Sequence, residues 1–167
     1  MITLHGKSVF GGIAIGPMSM YRRAQHKIKR YRVEDPQAEI QRFHSAKETT
    51  LQKLEALHQR ALQEVGESGA MIFEIHKMML EDLDYCDSIE NIISTQNVNA
   101  EYAVGTTADN FAQMFLEMDD DYMRARASDV KDVSEQLLET LSGSSSSLSS
   151  GSDPVILFAD DLAPSET

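Results

Sequence analysis

Five histidines, one cysteine and a run of aspartates are the residues here whose chemistry could be catalytic or metal-binding. His5, His26, His44, His58 and His76 lack the close helical or loop spacing that places several imidazoles on one metal ion. Asp119, Asp120 and Asp121 are adjacent, so their carboxylates diverge, and the alternating ligands and central glycine of a calcium loop are missing. Negative charge at a helix N-terminus explains them better. Gly6-Lys7-Ser8 has the ending of a phosphate-binding loop, but Met1 stands where that loop needs its first glycine. "GGIAIG", Gly11 to Gly16, fits a glycine-punctuated strand turn better than a phosphate cradle. Ser144 to Ser150 fall in low-complexity sequence, where no general base is organised beside them. Cys86 sits among apolar residues in a helical pattern and reads as a small buried hydrophobe. These residue types, at these spacings, argue against independent catalysis and toward binding.

The stretch "MIFEIHKMML EDLDY", residues 71 to 85, is where binding chemistry concentrates. At about 100° per residue, Ile72, His76, Met79, Leu80 and Leu83 share one face. Met71, Ile75, Met78, Asp82 and Tyr85 make a second, mixed stripe. One apolar stripe serves a bundle core; two imply a helix contacted on both sides. Methionine suits an adaptable contact because its side chain is flexible and polarizable. By periodicity alone, His76 reads first as a core residue and second as part of a surface that receives another protein.

The composition bounds the partners. Fifteen Lys and Arg stand against 27 Asp and Glu, a net charge of −12. Such a field repels a phosphate backbone, disfavours nucleic acid, and steers basic proteins inward. Hydrophobic residues are 41 % of the chain and aromatics only 7 %, so aliphatics and nine methionines must fill the core. No apolar run reaches the length of a membrane span, and the first residues lack the apolar block of a signal peptide. A single cysteine excludes an intramolecular disulfide and suits a reducing compartment. The expected location is the cytoplasm.

These residues must be positioned by helices. "SVFGGIAIGPMSMY" reads as one or two short strands turning at Gly11-Gly12, and "RRAQHKIKRYRV" as an extended connection. Asp35-Pro36 is a helix start, opening a helix toward Gly66 with Phe43, Leu54, Leu57, Ala61 and Val65 inward. Gly66 and Gly69 interrupt it. A second helix is predicted from about Ala70 to about Ser94, and a third after a cap at Asn99 with Ala103, Ala108, Phe111 and Phe115 inward. A fourth runs from about Asp120 to Leu141, carries Val130, Val133, Leu137 and Leu141, and ends at Gly143. Short connections favour antiparallel packing of four helices. A serine-rich linker follows. "VILFA" then has the pattern of a strand buried on both faces, and its sheet partners must be the N-terminal strands.

Four stretches carry a family resemblance: "GIAIG" at Gly12 to Gly16, "IFEIHKMMLED" at Ile72 to Asp82, "MDDDYMRARASDVKDV" at Met118 to Val133, and "VILFADDLAPSET" at Val155 to Thr167. In order and spacing they resemble the N-terminal part of Enzyme I, the phosphoenolpyruvate-protein phosphotransferase of the bacterial sugar phosphotransferase system. The resemblance implies an α-rich α/β fold: an antiparallel four-helix domain that binds the phosphocarrier HPr, residues 33–142, inserted into an incomplete α/β phosphohistidine domain. Residues 1–32 would supply that domain's first strands and connection, 143–153 the serine-rich linker, and 154–167 the start of the returning chain.

In the family, the phosphorylated histidine follows a segment like that ending at Thr167, in a Gly-Gly-x-x-Ser/Thr-His motif. None of the five histidines has this context, so the resemblance implies no catalytic residue in this chain and no activity for it alone. It implies a partner-binding set: Glu74, His76, Met78, Met79, Asp82 and Asp84 on one helix, Met123 and Arg126 across a groove, with Glu67 and Phe115 as additions. HPr is the implied partner, without nucleic acid or membrane insertion. No cofactor is implied for this stretch; magnesium and homodimerisation belong, in the family, to a C-terminal domain. Two alternatives remain open: an Enzyme I-like module of a fused phosphotransferase serving another carrier, and a non-enzymatic helical adaptor.

Overall fold

The computed structural model describes residues 11–21, 28–143, 155–159 and 162–166. Five helices lie between two short strands in chain order: β1 (Met18–Met20), α1 (Pro36–Glu64), α2 (Glu67–Glu81), α3 (Leu83–Gln96), α4 (Ala100–Leu116), α5 (Asp121–Ser142) and β2 (Ile156–Phe158). A single helical turn, Pro164–Glu166, follows β2.

The helix ends follow their capping chemistry. The Asp35 carboxylate accepts from the amides of Gln37 and Ala38, and Pro36 occupies the first helical position, where its missing N–H costs nothing. The Asp120 carboxylate accepts from the Met123 amide, so one member of the aspartate run is a cap. Gly66 (φ 81°) and Gly143 (φ 66°) hold left-handed backbone that a side chain would strain. Gly69, expected to interrupt a helix, instead lies inside α2. A Cβ there would come within 2.5 Å of Val65 Cγ2, so the glycine permits a close turn between α1 and α2.

Two helix expectations need correction. The single long helix from Ala70 to Ser94 is broken at Asp82 (φ −60°, ψ 129°), whose carboxylate accepts from the Tyr85 amide and starts α3. Hence the described residues hold five helices where four are predicted. The break also exchanges two side chains: Leu83, expected inward, is 77 % exposed, and Tyr85, expected on the mixed stripe, is 3 % exposed. At Asn99 the position is right and the role differs. Its side chain makes no cap. It accepts from the Tyr31 amide and donates to the Lys29 carbonyl and Glu101, tying the incoming strand-like segment to α4. The free Ala100 amide donates to Glu39 of α1 instead.

Phe43 and Leu54 of α1, Leu80 of α2, Ile89 and Ile93 of α3, Val104 of α4 and Leu137 of α5 are fully buried and form one core. Each such side chain contributes about 1.5–3 kcal/mol relative to exposure. Val65, expected inward, is 68 % exposed because α1 has already ended. Cys86 is buried, with burial pushing its thiol pKa up while Lys47 pulls the other way.

β1 and β2 pair in parallel, Met18 opposite Ile156 and Met20 opposite Phe158. The returning strand therefore joins the N-terminal one, as expected. Its burial on both faces is not observed: Leu157 is 36 % and Phe158 55 % exposed, because among the described residues neither face of this two-stranded ribbon is covered. Ile13 and Ile15 lie outside any strand and are solvent-exposed. The expected strand before Gly11, the first half of the basic connection and the serine-rich linker from residue 144 lie outside the described residues. The end of that connection is extended, with Arg32 bridged antiparallel to Val98.

Candidate functional site

α2 presents two unlike faces, and residue spacing decides which is which. Met71, Ile75, Met78 and Asp82 follow one row along the helix. Met71 is 57 % and Met78 69 % exposed, with no core against them. Met78, Met79 and Asp82 line a hollow of about 550 Å³, joined by Asp84 and Tyr85 from α3, Phe111, Met114 and Phe115 from α4, and Met123 and Arg126 from α5. Its floor is soft and apolar, with five methionines in the lining. The exposed carboxylates of Asp82 and Asp84 stand at its edge.

Two polar groups of the hollow are held firmly. Ser134 donates its hydroxyl hydrogen to the Val130 carbonyl at 2.6 Å, so the Tyr85 hydroxyl, 2.7 Å away, must be the donor to Ser134. Burial pushes the Tyr85 phenol well above its ordinary range and outweighs that hydrogen bond, so it stays neutral. Tyr85 also meets Phe111 edge to face at 5.4 Å. The Arg126 guanidinium donates to Asp129 at 2.7 Å and lies over the Tyr122 ring, 4.3 Å from its centroid. Asp129 is buried, which pushes its carboxyl pKa up. The neighbouring His76 imidazole and Arg126 guanidinium more than offset this and hold it below the usual carboxylate range.

Seven of the ten residues expected at a partner surface line this hollow: Met78, Met79, Asp82, Asp84, Phe115, Met123 and Arg126. The other three lie elsewhere. Glu67 is exposed in the first turn of α2, in the same row as Met71 and Met78 but toward the other end of the helix. Glu74 faces α1, pairing with Lys77 at 2.8 Å and His58 at 3.4 Å. His76 has no exposed surface and sits behind the hollow, between α2 and α5. A partner seated in the hollow does not reach it in this conformation.

The hollow also gathers residues outside the expected set, among them Ile75, Tyr85, Phe111, Met114, Met118 and Tyr122. Their signal was present as the spacing Phe111, Met114, Phe115, Met118, which keeps one helical face apolar past the point where the bundle needs it.

Among the described residues, Glu55, His58 and Glu74 form the one group with metal-ligand proximity. It does not fit magnesium. That ion takes oxygen ligands in near-octahedral array, whereas this group offers an imidazole, and the Lys77 ammonium already bridges Glu55 at 2.6 Å and Glu74 at 2.8 Å.

Comparison with known proteins follows the same lines. A family model described as PEP-utilising enzyme, N-terminal, matches residues 5–126. The chain belongs to this family. It is 38 % identical over 166 residues to the phosphoenolpyruvate-protein phosphotransferase of Bacillus sp. (strain S), covering 99 % of this chain and 29 % of that protein. To the protein of the same name from Geobacillus stearothermophilus it is 39 % identical over 166 residues, again 99 % of this chain and 29 % of the relative. The NMR solution structure of Enzyme I (nEIt) is similar with a TM-score of 0.77 at 32 % identity, over 90 % of this chain and 62 % of that one. The chain thus corresponds to an Enzyme I N-terminal domain and spans 29 % of the length of these relatives. No helix among the described residues is long and apolar enough to cross a membrane.

Proposed function

We propose that this chain is the carrier-docking part of a phosphoenolpyruvate-protein phosphotransferase, and that its hollow receives the phosphocarrier HPr for phosphoryl transfer in sugar uptake. The observation that carries the reading is an unfilled, methionine-rich hollow rimmed by Asp82 and Asp84 on a chain of this family. An apolar side chain of the carrier seated there would contribute about 1.5–3 kcal/mol per residue buried. The rim carboxylates would attract its basic groups and set encounter rate and register more than affinity. Arg126, already braced by Asp129 and Tyr122, presents a pre-oriented guanidinium at the lining.

No phosphoryl-accepting group is assigned to this chain. His76 is buried, and His44 and His58 are engaged with Glu90 at 3.1 Å and Glu74 at 3.4 Å. His5 and His26 lie outside the described residues. Phosphoenolpyruvate, its magnesium and dimerisation are then the work of the part of the relatives that this chain does not span, and the setting is the cytoplasm, where HPr would be met. The test is calorimetric titration of the protein with HPr at two salt concentrations. A saturable one-to-one isotherm that weakens with salt is expected. No heat above that of an unrelated basic protein of similar size would overturn the reading and favour another carrier or an adaptor role.

A further inference from the structure

Behind the hollow lies a row of charged and polar groups that docking alone does not use. Asp129 and Asp132 on α5 and His76 on α2 are 9 %, 3 % and 0 % exposed. His76 Nε2 is 3.9 Å from Asp129 Oδ1, and its Nδ1 is 3.9 Å from Asp132 Oδ2. Those separations exceed a hydrogen bond, and neither ring nitrogen has a hydrogen-bond partner among the described residues. Buried nitrogens left this way are costly. Each carboxylate has a further partner. Asp129 accepts from Arg126 at the hollow, 2.7 Å away. Asp132 accepts from the hydroxyl of Ser165 at 2.6 Å and from its amide at 3.4 Å. The row therefore reads Arg126, Asp129, His76, Asp132, Ser165, from the hollow to the turn after β2.

We propose that His76 is a positioning residue that links occupancy of the hollow to the seating of the Pro164–Glu166 turn. The inference rests on the docking reading above for its trigger, and on the buried row for its path. α2 and α5 both line the hollow, so a side chain seated across it that contacts both draws them together. That spacing sets both imidazole-to-carboxylate gaps together, because the ring is rigid and its two nitrogens face different carboxylates. An approach of about 1 Å brings each gap into hydrogen-bond range, which a ring with both nitrogens protonated satisfies on both sides. Asp129 then shares its charge between His76 and Arg126, and Asp132 shares its charge between His76 and Ser165. The turn is joined to the ribbon as well: the Tyr21 hydroxyl beside β1 donates to Glu166 at 2.6 Å. Ribbon and hollow are thereby connected through one buried imidazole, and linkage makes the effect reciprocal.

The test begins at the far end. Ser165→Ala touches nothing in the hollow, yet it is expected to move the Arg126 Nε–H resonance of the free protein and to change HPr affinity roughly 2- to 30-fold, the range of measured couplings. In a His76→Gln background the same Ser165→Ala change is expected to move neither quantity. Asp132→Asn cuts the row at the next position and serves if His76→Gln fails to fold. A purely structural row would lower thermal stability in each variant without this cross-talk. An Arg126 resonance unmoved by Ser165→Ala, or moved equally with and without His76, overturns the proposal. Absence of any HPr binding would overturn the docking reading, and the Arg126 resonance of the free protein would still decide the row.

Discussion

The two faces of α2 differ both in composition and in what their side chains already hold. Toward α1, Glu74 and Lys77 meet Glu55 and His58 in a cluster where one ammonium, Lys77, pairs with both carboxylates. Toward the hollow, Met78 has open surface, as does Asp84 at the start of α3, and among the described residues no side chain covers the apolar lining. A charged face that is internally paired has little left to offer a partner. An apolar face left open gains by being covered. Glu74 and Met78 are four residues apart in one helix, and this contrast assigns them different work.

Four substitutions would break or sharpen the comparison. The largest effect is expected behind the hollow. Asp129→Ala leaves the Arg126 guanidinium without its partly buried carboxylate partner and should destabilise the fold by about 3 kcal/mol near neutral pH, measured by chemical denaturation. This loss is pH-dependent in a definite sense. The folded Asp129 carboxyl is held low, so its contribution is full above the unfolded value of about 3.9 and disappears as pH falls through the folded value. The variant and the parent should therefore converge in acid; a gap that widens below pH about 3.9 would contradict the assigned shift.

Met78→Glu comes next. Its side chain is exposed, so stability should stay within about 0.5 kcal/mol, while HPr affinity should fall about 30-fold, near 2 kcal/mol, as for a central contact residue. Calorimetry and a melting curve on one sample separate the two effects. Smaller still is Asp84→Lys at the rim, which should slow association several-fold and flatten its salt dependence with little change in dissociation, read by stopped-flow mixing. Smallest is Glu74→Gln on the paired face: less than about 0.5–1 kcal/mol in stability for half-exposed ion pairs and an unchanged affinity for HPr. A large affinity loss from Glu74→Gln with none from Met78→Glu would invert the comparison.

Much of the helical frame was legible because caps are local chemistry. Asp35-Pro36, Asp120 and Gly143 announce their helix ends through side-chain acceptors, a fixed φ or freedom at positive φ, none of which needs the rest of the fold. The break at Asp82 was hidden because apolar spacing continues across it; only the Asp82 carboxylate meeting the Tyr85 amide marks it, and an aspartate in an acidic run looks like ordinary surface. Asn99 shows the same limit, since its partners Lys29 and Tyr31 come from a distant segment. Of the hollow, the residues on α2 could be read from one helix. Met114 and Met118 could be read as part of an apolar row on α4, but not as lining a hollow, because that depends on where α2, α3 and α5 pack beside it. Periodicity placed His76 on the apolar stripe, and the fold does bury it; the expectation of direct contact came from resemblance alone.

The most direct test is an amide map of the isotopically labelled protein titrated with HPr. Shifts are expected to concentrate at residues 75–85 and 111–126, with the α1 side of Glu55 and His58 silent. Shifts centred on Glu55, His58 and Glu74, or on the β1–β2 ribbon with the hollow unmoved, would contradict the central claim that the uncovered methionine face of α2 is where the carrier docks.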